Sequence, residues 1–557
     1  MFSSGSQYGR RNGAQLRSTT GCLPCKAGKV KCGEEKPCCR RCVRLGRECK
    51  YGSGSNNDND NNSDSQNSSP NSEEENLVKL EKPTVGLKLL PLFGRDQDER
   101  RAFEFYFRYA APAMSNVVDM AFWRGIVLQL CQTEPAIWDA LITISSLYEN
   151  PQYRISAYTP SNISDRSTVD DNHRRTLRWY ARSLSNVREQ LQEGKADIHI
   201  SLITCILYIC IETMQGHTED GLKLFQQGIK LVTQLTSHDN SNRRDRRALT
   251  FLEDVTLPVY ERLSMVSTII IGTTSPLSTS IIPNSPSSSD SHNNHLSTMS
   301  EAYMSLHKVV AQCVEFHDRA TEVVRRGGAE VDKQIEYFHM EKSHLQSRLD
   351  DWQQAFEILD EIQALSKSTE YKGLAALLRM CWSCASIITA ITPCQDETAY
   401  DQYMDLFAEM VKDGETCLTY TAVADGSQPE FTFEMGVGLP LFFVAMKCRS
   451  PRIRREAIRL LQRAPPVQGL YKLARAIFIV RKIVEWEEGR PFSLDCDEED
   501  ANRLPDQNQR MGMVLAVSDH LPTAELRFLR NRWNSGACRW QLVEESVSFG
   551  ATENITM

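Results

Sequence analysis

The chain has 557 residues, 41% of them hydrophobic and 8% aromatic, which suits two to four domains with buried cores and argues against a wholly disordered polypeptide. Its formal net charge is −8, yet residues 1–51 hold 12 Lys and Arg against three Glu, a local +9 that leaves −17 for the remainder. A compact basic head on an acidic body assigns any polyanion contact to the head.

The first twenty residues are polar and include Arg10, Arg11 and Arg17. They predict a disordered basic N-terminus without a secretory leader. The longest apolar run, Ile200 to Ile211, is too short for a bilayer and predicts a buried helix, so no membrane is expected as a partner. In an intracellular, reducing compartment, clustered cysteines favour metal over disulfides.

Residues 21–51 carry seven of the chain's 18 cysteines. Six follow a duplicated pattern: Cys22-x2-Cys25-x6-Cys32, then Cys39-x2-Cys42-x6-Cys49. A Cys-x2-Cys turn aims two thiolates at one cation. Six sulfurs fill two tetrahedral shells only if two of them bridge, so the count suggests a two-zinc cluster. Cys38 competes with Cys39, but choosing Cys38 spoils the second Cys-x2-Cys pair. Some 30 residues with few apolar side chains cannot fold on a core of their own, and zinc supplies the missing free energy, roughly 10–16 kcal/mol. An all-thiolate shell has no open coordination position, so the site is structural and no catalytic residue is assigned. A zinc deaminase would need His-x-Glu ahead of Pro-Cys-x-x-Cys. The strings at His217–Glu219 and His339–Glu341 lie far downstream.

The segment "CKAGKVKC", "EEKPCC" and "CKY" resembles the fungal binuclear zinc, six-cysteine DNA-binding domain. The resemblance implies two zinc ions bridged by Cys22 and Cys39, one completed by Cys25 and Cys32, the other by Cys42 and Cys49. It makes Cys38 a bystander. It also implies double-stranded DNA as partner, read at CGG-like triplets in the major groove, with Lys29 as base reader beside Lys31. Lys26, Arg40 and Arg41 join them in a cluster suited to phosphate contacts. Ala27 and Gly28 depart from the family's basic residues just before the reading lysine, which would alter affinity or site preference.

Residues 52–89, rich in Asn, Ser and Asp, are expected to form a flexible linker. "ENLVKLEKP" allows one heptad at most before Pro83, so no zipper follows the cluster. From residue 90 the apolar period is helical. Phe103, Tyr106, Phe107 and Ala110 share one predicted face; Ile137, Leu141, Ile144 and Tyr148 share another, behind Pro135. Leu177, Ala181, Leu184, Val187 and Leu191 share a third. An insertion at 272–300 is expected to be disordered. Leu345, Leu349, Trp352, Phe356 and Leu359 have the 4-3-4-3 spacing of a homodimer seam or of a helix packed in its own domain.

No strand series is evident. The expected fold is a small zinc-cluster domain, a linker and a large all-α, α-solenoid-like domain over 90–490, followed by a C-terminal extension, 491–557. "PLFGRDQDERRAFEFYFRYAAPAMS" and "FTFEMGVGLPLFFVAMKCRSPRIRREAIRLL" resemble the helical regulatory domain behind many fungal zinc clusters. Cys381 and Cys384, in "CWSC", read as buried packing. "DCDEED" (495–500) and "RRDRR" (243–247) read as solvated loops, with transcription machinery and nuclear import as their functional alternatives.

Together these features point to a nuclear transcription regulator whose body receives a regulatory ligand or partner. A nuclear scaffold with weak, non-specific DNA binding is the alternative.

Overall fold

In the computed structural model the described residues are Cys22, Cys25, Cys32 and 39–44, then 96–115, 118–153, 170–237, 256–271, 295–326, 329–365, 371–394, 396–423, 425–495, 503–518, 524–536 and 539–549. The expected N-terminal tail, the linker, "RRDRR", and most of the 272–300 insertion and of "DCDEED" lie outside them. The chain divides into two compact units, 1–88 and 89–557.

The first unit gathers its cysteines beside a short helix, α1 (Arg40–Arg44). The second is mostly helical, and its helix boundaries follow local signals. The carboxylates of Asp96, Asp170 and Asp197 accept from the amides of Glu99 (2.8 Å), His173 (2.6 Å) and His199 (2.8 Å). These N-caps open α2 (Gln97–Phe105), α6 (Asp171–Gln192) and α7 (Ile198–Gln215). Between them lie α3 (Ala111–Met114), α4 (Val127–Leu130) and α5 (Pro135–Glu149), the last with Pro135 in its first turn. Helix α7 ends on Gly216, whose φ of 95° is the left-handed conformation that lets α8 (Thr218–Ser237) begin at once.

Then follow α9 (Leu257–Ile271), α10 (Met299–Arg326), α11 (Ala329–Leu365), α12 (Lys372–Ile391) and α13 (Met404–Thr421). After β1 (Phe431–Thr432) come α14 (Gly438–Lys447), α15 (Pro451–Arg463), β2 (Val467–Gln468), β3 (Tyr471–Lys472) and α16 (Leu473–Glu488). Helices α7 and α12 are long and apolar enough to cross a membrane, but both are built into the cores of this unit.

Three apolar cores hold the unit together. The first surrounds α5 and α7, the second gathers α13 to α16, and the third joins α10, α11 and α12. Leu345, Leu349, Trp352, Phe356 and Leu359 are all buried in the third core. The 4-3-4-3 seam of α11 is therefore spent within its own domain and lends no support to a dimer.

Two predicted helix faces are corrected. A π-helical stretch, Tyr106–Ala110, lies between α2 and α3. The wider turn shifts the register, so Tyr106 and Ala110 are fully buried while Phe107 is 41% exposed. On α6 the leucine stripe faces outward: Leu177, Leu184 and Leu191 are exposed, and within the stripe Val187 packs on the core. The inward face of α6 is instead Thr176, Trp179 and Ser183. Thr176 Oγ1 lies 2.5 Å from Ser146 Oγ, and Ser183 Oγ donates to the Ala136 carbonyl at 2.6 Å. Short side chains allow close helix approach, and each buried hydroxyl has a partner.

The C-terminal extension contains strands that the sequence reading did not anticipate. Strands β4 (Met511–Ser518), β5 (Ala524–Asn534) and β6 (Arg539–Phe549) form an antiparallel meander, with Leu526 opposite Val547. One face delivers Met511, Leu526 and Phe528 to the second core. Charged Arg527, Arg532 and Glu544 remain exposed, which dilutes the apolar signal along the strands.

A buried ionic hub joins this sheet to the helices. Arg449, Arg454 and Glu487 are all sealed from solvent. Glu487 accepts from Arg449 Nη2 (3.1 Å), Arg454 Nη2 (2.5 Å) and the Met511 amide (2.7 Å). Burial opposes the charge on Glu487, but the two guanidinium groups outweigh it and hold the carboxyl at about 2.

Candidate metal centre and nucleic-acid interface

The metal centre can be built from sulfur geometry. Cys22, Cys25, Cys32, Cys39 and Cys42 are buried, with exposures between 0% and 8%, in a segment with few other apolar groups to enclose them. The Sγ of Cys22 lies 3.7 Å from those of Cys39 and Cys42 and 3.6 Å from that of Cys32. The Sγ of Cys25 lies 3.8 Å from that of Cys39.

These separations decide the chemistry. A disulfide needs about 2.05 Å. Sulfurs at about 2.3 Å from a central zinc sit at tetrahedral corners roughly 3.8 Å apart. The observed spacings match the tetrahedral edge, and none of the five cysteines forms a disulfide. The sulfurs of Cys22, Cys25, Cys39 and Cys42 all lie within 4.8 Å of one another, so the donor set fits a soft divalent cation. The Cys42 amide hydrogen-bonds to the Cys39 sulfur and is the main reason that thiol is drawn down to about 6. Main-chain N–H groups directed at sulfur stabilise the thiolate, the form that binds metal.

Cys22 has neighbours in both halves of the duplicated pattern: Cys32 in the first, Cys39 and Cys42 in the second. Cys39 likewise touches Cys22 and Cys25 across the halves. Helix α1 explains how the second half separates its tasks. Cys39 precedes it, Cys42 turns into the cluster, and Arg40 and Arg41 are exposed on its outer side. The structure thus brings together five predicted ligands and two predicted DNA contacts. Cys49, Lys26, Lys29 and Lys31, together with the spare Cys38, lie outside the described residues. Spacing pointed to these five sulfurs; the outward placement of Arg40 and Arg41 required the helix.

Comparison with known proteins agrees with both units. Residues 20–57 match the family profile described as the fungal Zn(2)-Cys(6) binuclear cluster domain. Residues 101–488, more than half the chain, match the fungal specific transcription factor domain. The aspercryptin biosynthesis cluster-specific transcription regulator atnN of Emericella nidulans is 24% identical over 232 residues, covering 40% of this chain and 35% of that protein. Transcription activator AMTR1 of Alternaria alternata is 56% identical over 34 residues, 6% of this chain and 4% of its own length. Transcription factor lfc1 of Flammulina velutipes is 46% identical over 46 residues, 8% and 16% respectively. The matched segments therefore span about a third or less of each relative. No solved structure matches the chain.

Proposed function

The chain belongs to the fungal specific transcription factor family and carries that family's zinc-binding cluster domain; on that premise we propose that it is a nuclear, sequence-specific regulator of RNA polymerase II transcription. The observation that carries the reading is five cysteine sulfurs at tetrahedral spacing beside outward-facing Arg40 and Arg41. In this reading Cys22 and Cys39 would serve both of two zinc ions, Cys25 and Cys32 would complete one shell and Cys42 and Cys49 the other, and the metal would hold the segment rigid. The metal's contribution is folding free energy and a fixed shape.

The DNA-binding surface then divides its work. Arg40, Arg41 and Lys26 contact phosphates and set the position of the domain. Lys29 and Lys31 reach base edges, where a lysine meets guanine O6 and N7, and CGG-like triplets are the expected targets. Gly28 stands where the family places a basic residue, so site preference should depart from the family norm. The name of the Emericella nidulans relative supports control of a metabolite gene cluster as the biological role. The role of the helical body would be to receive a signal or partner and pass it to transcription machinery.

Binding of the full-length, zinc-loaded protein to DNA selected from random sequence tests the proposal. Lys29→Ala should weaken binding to the selected triplet by about 1–3 kcal/mol while leaving random duplex nearly unaffected. An equal loss on both, or a specificity ratio near one across a salt titration, would instead identify a non-specific nuclear scaffold.

A further inference from the structure

The helical unit contains a half-open cavity of about 310 Å³, lined entirely by residues outside the cysteine-rich head. Well-packed interiors seldom leave voids much larger than a water molecule, whereas this one lies within the range of small-molecule sites. Its walls come from separate elements: α10, α12, α14 with the turn leading into it, and Gly512 of β4. Val310, Leu377, Ile388, Leu439, Phe442 and Phe443 make most of the lining apolar.

Two histidines interrupt the apolar wall. Both ring nitrogens of His307 are shut off from solvent and find no hydrogen-bond partner among the described residues. Its ring packs edge-on against Tyr303, with centroids 3.9 Å apart. Burial, with Arg262 nearby, pushes its pKa down to about 3, so the ring is neutral and offers one donor and one acceptor. On the same helix, His317 Nδ1 lies 2.7 Å from Thr392 Oγ1. That hydroxyl donates its hydrogen to the Ile388 carbonyl at 2.8 Å. His317 must therefore carry its proton on Nδ1, which leaves Nε2 as an acceptor.

Lys447, the cation among the described lining residues, already has an anionic partner, which Arg449 shares. Lys447 Nζ donates to Glu397 Oε1 at 2.8 Å and to the Gly512 carbonyl at 2.7 Å. A carboxylate ligand would enter beside Glu397, and an ammonium beside Lys447, each without a counter-charge of its own. Cys381 and Cys384, which read from sequence as packing, also line the space. Burial pushes both thiols well above their ordinary range, so they contribute bulk rather than nucleophilicity.

We propose that this cavity is an effector site for an uncharged, largely hydrocarbon small molecule bearing a hydroxyl or carbonyl oxygen that meets His307 and His317. Such a ligand would tie α10, α12, α14 and the start of the C-terminal sheet together through one buried contact. Binding would then stabilise their joint arrangement by mass action. That coupling makes the regulatory domain a receiver for an apolar metabolite.

The test uses the full-length, zinc-loaded protein and prodan, a neutral naphthalene ketone whose emission shifts to the blue in apolar surroundings. One saturable site is expected. At pH 7, and below their micelle concentrations, 1-decanol should displace the probe at least about tenfold better than decanoate or decylammonium. His307→Leu keeps the cavity apolar but removes its hydrogen-bonding ring. It should bind prodan about fivefold or more weakly while melting no lower than the parent. Cys384→Phe, which places a ring in the cavity, should abolish saturable binding. Lack of a saturable site, displacement by decanoate equal to that by decanol, or unchanged binding in folded His307→Leu or Cys384→Phe would each overturn the proposal. The competition on the unmodified protein does not depend on any variant folding. Prodan binding is read without DNA, so failure of triplet recognition and failure of this site are separate results.

Discussion

Replacing Glu487 tests whether the buried ionic hub fastens the C-terminal sheet to the helices. The carboxylate receives Arg449, Arg454 and the Met511 amide, all inside the protein. Truncating one partner of a buried ion pair typically costs about 3–5 kcal/mol, because the other charge remains desolvated. Here Arg449 keeps a second carboxylate, Glu397 Oε2, at 3.0 Å. Arg454 is left with main-chain acceptors, the Ala445 carbonyl at 2.8 Å among them. One uncompensated guanidinium instead of two places Glu487→Ala near the lower limit, about 3 kcal/mol. Glu487→Gln keeps an acceptor and should lose less.

Acid titration supplies an independent measure of the same interaction. The Glu487 carboxyl lies at about 2 in the folded protein against its ordinary 4.5. A depressed pKa means that the unfolded chain binds the proton more readily. The contribution, about 3 kcal/mol, is therefore complete above pH 4.5 and is lost as pH falls from there toward 2. Urea unfolding followed by far-UV circular dichroism, across that pH range, compares the parent with both variants. Glu487→Gln should show a flatter pH dependence below 4.5, and hydrogen exchange in 511–549 should quicken in Glu487→Ala. A loss under about 1 kcal/mol for Glu487→Ala, with exchange in the sheet unchanged, would refute the reasoning.

Native mass spectrometry should find two zinc ions per chain. Cys22→Ser should lose both, because a bridging sulfur serves each ion, while Cys38→Ser should retain both. Metal-free protein whose N-terminal segment is indifferent to chelator would defeat the assignment. On α6 the outward stripe makes Leu184→Lys nearly neutral, within about 0.5 kcal/mol. Ser183→Leu should cost about 2–4 kcal/mol, since it overfills a tight helix contact and strips Tyr208 of the hydroxyl 2.8 Å away. Thermal melts of the two variants check the order, and a reversed order would restore the leucine face to the interior.

The metal centre was legible in sequence because its information is local. A Cys-x2-Cys turn selects its geometry within four residues, and a scarcity of apolar neighbours leaves metal as the source of folding free energy. Helix starts at Asp96, Asp170 and Asp197, and the stop at Gly216, rest on equally local contacts, since a cap is satisfied within one turn, although the sequence reading did not name them. The helical period identified α6 and α11 as helices, but which face each one buries depended on the neighbour. The leucines of α6 lost the interior to Thr176 and Ser183, whereas those of α11 were enclosed.

What sequence determined by itself was therefore the cysteine framework, the basic head and the helical character of the body. Tertiary structure decided the rest. The arginines of "CRSPRIRREAIRLL" are drawn inside by Glu487 and Glu488, more than thirty residues away, which accept from Arg449, Arg454 and Arg455. The C-terminal strands and the cavity beside His307 arose in the same way. A cavity wall or sheet face is assembled from segments far apart in the chain, and no short-range pattern records which distant residue will complete it.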